Sequence, residues 1–96
     1  MVELKLVSES QHPLRPIVEN ALANELRLQE AGIKRTEQLV QELESRYHMT
    51  TAEFLRAYED NKFPETLEFA EWIGEYRMLV RQREKAETLR GIKIAS

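Results

Sequence analysis

Thr50 to Tyr76 reads TTAEFLRAYEDNKFPETLEFAEWIGEY and holds six of the chain's seven aromatic side chains, its only Trp included, among seven carboxylates. Its local chemistry punctuates the chain. Thr50 is spaced to accept the amide of residue 53 while Glu53 reaches back to the Thr50 amide, a reciprocal capping box that starts a helix. Phe54, Leu55 and Tyr58 give that helix one apolar edge, and the turn-forming Asp60-Asn61-Lys62 ends it, so a short helix is predicted over residues 51–60. Pro64 is suited to the first turn of the next helix, with Glu65 and Glu68 near the positive end of its dipole.

Beyond Pro64, the residues Phe69, Trp72, Ile73, Tyr76, Leu79, Val80, Ala86 and Leu89 form one broad stripe, and Gly91 is expected to close the helix in the left-handed conformation. The predicted helix, residues 64–90, is about 40 Å long at roughly 1.5 Å per residue. The short helix cannot cover such a stripe, so the last helix must lie along another long helix or a second chain. Gly74, inside it, leaves room for another backbone to approach.

Upstream, Pro13 and Pro16 mark a helix start. Leu22, Leu26, Gln29, Ile33, Thr36, Val40, Leu43 and Tyr47 follow at alternating four- and three-residue steps, a heptad seam with two polar positions. Residues 13–47 are therefore expected to form one long helix, bent near Gly32, or two helices divided there. Residues 1–10 are read as an arm. Within it Val2 to Ser8 alternates like a half-buried strand, with Ile92-Lys93-Ile94, a dimer partner or another molecule as pairing options. The expected fold is a single mainly α domain over residues 1–96, in an intertwined or coiled-coil-like homodimer.

Composition agrees with that class. Apolar residues make up 42% and charged residues 32%, with three glycines and three prolines, a balance that favours helix over sheet or disorder. The chain has no cysteine, which removes disulfides and thiolate chemistry. No apolar run is long enough for a membrane span, and residues 1–10 carry charges where a signal peptide needs an apolar block, so a cytoplasmic location away from membranes is expected. The net charge of −3 is segregated: −1 over residues 1–40, −6 over 41–75 and +4 over 76–96.

Catalytic chemistry finds little support. His12 and His48 fall in predicted connections with no nucleophile beside them. Glu68, Glu71 and Glu75 share a helix face but lack the histidine or second carboxylate helix that a metal centre needs, and no glycine-rich phosphate loop occurs. Neither enzyme activity nor a cofactor is expected. Arg77, Arg81, Arg83 and Lys85 form a basic stretch suited to nucleic-acid contact, an alternative that is not favoured because no DNA-reading motif accompanies it.

The segment Met49 to Glu59, followed by Glu71-Trp72, Tyr76, Met78 and a closing helix rich in Arg and Glu, resembles small helical antitoxin-like proteins encoded beside toxin genes in cyanobacterial and other bacterial genomes. The likeness covers roughly residues 46–90. Many proteins of that type place a glycine in the turn where this chain has Asp60-Asn61-Lys62. The resemblance implies an antitoxin that covers the active surface of a small basic toxin and contributes to autoregulation. On that expectation Phe54, Tyr58, Phe63, Trp72 and Tyr76 are the apolar contacts, with Glu68, Glu71 and Glu75 as an acidic rim. The rival expectations are a purely structural homodimeric adaptor and a DNA-binding regulator.

Overall fold

The computed structural model describes residues 3–94, and within them three helices: α1 (Leu14–Tyr47), α2 (Thr51–Glu59) and α3 (Leu67–Arg90). α1 and α3 run antiparallel. Arg46 at the end of α1 pairs with Glu68 at the start of α3, whereas Lys85 meets Glu25, and near the far end Arg15 donates to the Ile94 carbonyl. The result is a hairpin 61 Å long and 24 by 18 Å across. Its radius of gyration of 19.2 Å far exceeds the roughly 13 Å of a compact 100-residue domain.

The seam of α1 is the hairpin's inner face. Thr36 and Val40 are buried, and Leu22, Leu26, Gln29, Ile33, Leu43 and Tyr47 are half-buried. Opposite them α3 presents a seam of its own, with Trp72, Leu79 and Ala86 buried and Glu68, Glu75, Gln82 and Leu89 half-buried, again at three- and four-residue steps. The two polar positions of α1 are satisfied within that helix. Thr36 donates to the Gly32 carbonyl at 2.9 Å, and Gln29 donates to Glu25 at 3.0 Å. The seam of α1 is thus occupied by α3 of the same chain.

Helix boundaries follow local chemistry. α1 is continuous through Gly32, where a Cβ would come within 2.9 Å of Gln82 Nε2, so the glycine admits the Gln82 side chain rather than breaking the helix. His48 ends α1 in the left-handed conformation (φ 53°), its amide donating to the Glu44 carbonyl. The capping box at Thr50 and Glu53 is present, and α2 stops at Glu59. Asn61 then takes a left-handed φ of 57°, a conformation asparagine tolerates better than most residues.

Three expectations need correction. α3 begins at Leu67 rather than Pro64, because the Thr66 hydroxyl accepts the Phe69 amide at 3.2 Å and so makes Thr66 the cap. Gly91 is right-handed (φ −83°), since its amide reaches the carbonyls of Glu87 and Thr88 without a left-handed turn. Residues 3–8 form no strand: Leu4, Leu6 and Val7 are exposed, and no sheet edge is available among the described residues to receive them. Residues 92–94 form none either, and Val2 lies outside the described residues.

Candidate protein-binding site

Six of the seven aromatic side chains meet where α2 folds against the hairpin end. Phe54 and Trp72 are fully enclosed and lie parallel, with ring centroids 3.9 Å apart and planes 3° from coplanar. Phe69 sits 5.4 Å from Phe54, Phe63 5.2 Å from Phe69, and Tyr58 5.7 Å from Phe54 in tilted arrangements. Such offset and tilted pairs add to the burial energy because ring edges and faces carry opposite partial charge.

A polar chain locks α2 in place. The Trp72 indole N–H donates to the Thr51 hydroxyl at 2.9 Å, which donates in turn to Glu44 Oε2 at 3.0 Å, and the same oxygen accepts the Thr51 amide at 2.7 Å. One carboxylate of α1 thus helps cap α2 and, through it, satisfies the buried indole.

The proposed apolar contacts therefore divide. Phe54 and Trp72 are core, beyond the reach of a partner while α2 stays docked. Tyr58 and Phe63 are half-buried on the cluster's edge, and Tyr76 is half-buried farther along α3. Sequence reasoning left out Tyr47, which stacks on Trp72 at 5.7 Å and 25° and lies 5.2 Å from Phe69. Its place as the last residue of the α1 seam, beside the aromatic stretch, was the available signal.

The acidic candidates divide as well. Glu68 takes hydrogen bonds from Tyr47 and Arg46, which hold its carboxyl below the ordinary value, and the same bond with burial raises the Tyr47 phenol. Glu75 occupies an α3 seam position between Trp72 and Leu79, with Oε2 buried and unpaired. Only Glu71 is an open rim carboxylate. The wider rim comes from exposed Glu53, Glu59, Asp60 and Glu65, which surround α2 and its turn and account for much of the −6 over residues 41–75.

The basic candidates do not make one surface. Arg83 pairs with Glu37 at 2.9 Å and Lys85 with Glu25 at 3.0 Å, while Arg77 and Arg81 are exposed and have no ion-pair partner among the described residues. The Lys85 ammonium donates to Glu25 and, with Gln29, lowers that carboxyl's pKa. Surface depressions are open and polar, running along Gln38–Arg46 of α1 and into its corner with Thr50 and Glu53. Among the described residues no group of His, Asp and Glu is arranged to hold a metal ion, and no helix is long and apolar enough to cross a membrane. Comparison of the chain with protein-family models, with curated proteins and with solved structures finds no match.

Proposed function

We propose that this chain is a protein-protein interaction module of the antitoxin kind: it self-associates and uses its aromatic, acidic end to cover a small basic protein, expected from the resemblance to be a co-encoded toxin. The observation that carries this is the concentration of −6 charge around half-open Tyr58 and Phe63 at one end of the rod. Aromatic anchors with a negative surround suit a basic surface, which they attract over distance and grip on contact.

Phe54 and Trp72 serve this reading as support, holding α2 so that Tyr58 and Phe63 are presented at a fixed angle. Direct nucleic-acid contact is less well supported, because Arg83 and Lys85 are already engaged by Glu37 and Glu25.

The test is co-expression with the product of the adjacent gene, followed by purification and titration calorimetry. A stoichiometric complex is expected, and Tyr58→Ala should weaken it by at least about tenfold while the thermal midpoint of the free chain stays nearly unchanged. A homodimer that forms no such complex would shift the reading to a structural adaptor.

A further inference from the structure

Ion pairing distinguishes the two long edges of the hairpin. Lys85–Glu25 lies along one edge, whereas Arg83–Glu37 and Arg90–Glu30 lie along the other. Phe69 and Tyr76 precede Arg83 at seven-residue spacing, so the edge of Arg83 is also the one that α2 and its aromatic cluster cover. The edge of Lys85 is bare. Seven-residue steps from Glu25 and Lys85 place Leu39 and Met78 on it, 41% and 36% exposed.

One position farther out on the same edge come Arg35 and Glu42 of α1, with Gly74 and Arg81 of α3; Glu71 shares the row of Met78. Their order has a centre of symmetry. Arg35 and Glu42 stand equally far on either side of residues 38 and 39, and Glu71 and Arg81 on either side of residue 76. The register set by Arg46–Glu68 and by Gln82 against Gly32 brings those two centres to the same level of the rod. Gly74 and Met78 flank that level too. Among the described residues Arg35, Glu42, Glu71 and Arg81 enter no ion pair within the chain.

We infer that a second copy of this chain docks on the bare edge in antiparallel orientation, α1 on α1 and α3 on α3, about a two-fold axis level with Leu39 and Tyr76. Glu42 then faces Arg35 of the second copy, Glu71 faces its Arg81, and Leu39 meets its own counterpart. Met78 lies over the second copy's Gly74, where a Cβ would meet nothing within 4 Å of its own chain. That contact gives the helix-interior glycine a purpose which the isolated hairpin lacks.

Charge selects this orientation. A parallel pair would bring the two −6 ends together, whereas the antiparallel pair sets each against the basic stretch of the other copy. Self-contact on this edge leaves Tyr58 and Phe63 open, so the dimer can present one acidic end at each extremity. The inference deepens the self-association part of the proposed function and rests on it.

Sedimentation equilibrium of the full chain, with native mass spectrometry of mixtures, tests it. The unaltered chain should be a dimer. Glu42→Arg and Arg35→Glu should each weaken dimerisation by about tenfold or more, because each turns two symmetry-related attractions into repulsions, while circular dichroism stays helical. Mixing those two variants should restore a dimer containing one chain of each, and mixing Glu42→Arg with Arg81→Glu should not. A dimer indifferent to all these reversals would overturn the docking edge and leave self-association standing. A monomer at high micromolar concentration would overturn both.

Discussion

The indole of Trp72 is held to the Thr51 hydroxyl by a 2.9 Å hydrogen bond that joins the start of α2 to the middle of the aromatic cluster. Thr51→Val keeps the shape and removes the acceptor, leaving a buried indole N–H without a partner. The expected loss is about 1–3 kcal/mol in urea unfolding, with most of it recovered in Thr51→Ser. Equal stability of the Val and Thr forms would mean that water reaches the indole.

Trp72→Ala removes a fully enclosed side chain and the surface on which Phe54 and Tyr47 stack. A loss of about 3–5 kcal/mol is expected, a large part of the stability available to a domain of this size. Tyr58→Ala, at the cluster's edge, should cost much less. Chemical denaturation of the two variants separates core from recognition surface without any partner present.

Glu75 is the seam position whose chemistry fits its surroundings least, with one carboxylate oxygen buried and unbonded. Glu75→Leu should therefore stabilise the hairpin by about 1–2 kcal/mol, because it replaces an uncompensated polar group with the apolar side chain that heptad packing prefers. A rise in the urea midpoint with an unchanged slope is the expected record.

The glycines Gly32 and Gly74 differ in what a methyl group would meet. At Gly74 nothing lies within 4 Å, so Gly74→Ala should gain the helix-propensity difference of about 1 kcal/mol, measured at a concentration where the chain is monomeric. At Gly32 the new Cβ would sit 2.9 Å from Gln82 Nε2 and must displace that side chain, which offsets the gain. The Gly32→Ala gain should appear in full only in a Gln82→Ala background, a non-additivity that a double-mutant cycle reads directly.

Acid should loosen the junction of α1 and α3. Glu68 has its pKa lowered in the fold by Tyr47 and Arg46, so near and below its ordinary value of 4.5 the unfolded chain binds the proton more readily. Its stabilisation is present above that value and is lost as pH falls through the lower folded pKa. Tyr47 has the opposite sign: its pKa is raised above 10.0, so its contribution holds below pH 10 and is lost as pH rises through the folded value. Thermal midpoints measured from pH 5 down to pH 3 should fall less steeply in Glu68→Gln than in the unaltered chain.

Periodicity and caps carried much of this fold in plain sight. The α1 seam, the capping box at Thr50 and Glu53, the turn at Asp60 to Lys62 and the end of α3 at Arg90 rest on local rules that few tertiary contacts override. The misses have physical causes too. Thr66 outcompeted Pro64 as a helix start, since a hydroxyl that accepts an amide bond outweighs a pre-set φ. Residues 3–8 looked like part of a strand because alternation is necessary for one, but a strand also needs an edge to pair with, which no local pattern supplies. Glu68 and Glu75 look solvated by composition, and only the register of α3 against α1 reveals that both lie at the seam. Trp72 and Phe54 were conspicuous in the sequence, yet whether such rings face inward or outward depends on where α2 folds back.

The thinness of the rod governs how this molecule comes apart. The Phe54, Phe69 and Trp72 cluster lies at one end, while the other is held by Leu22, Leu26, Ala86 and Leu89 with exposed ion pairs. Amide groups there have only one neighbouring helix to shelter them, so amide exchange is expected to be fastest at the Arg15–Ile94 end and slowest at the aromatic knot. The end that bears Tyr58 and Phe63 is thus expected to be the last to lose its shape, since its aromatic cluster, unlike the exposed pairs at both ends, is not screened by salt.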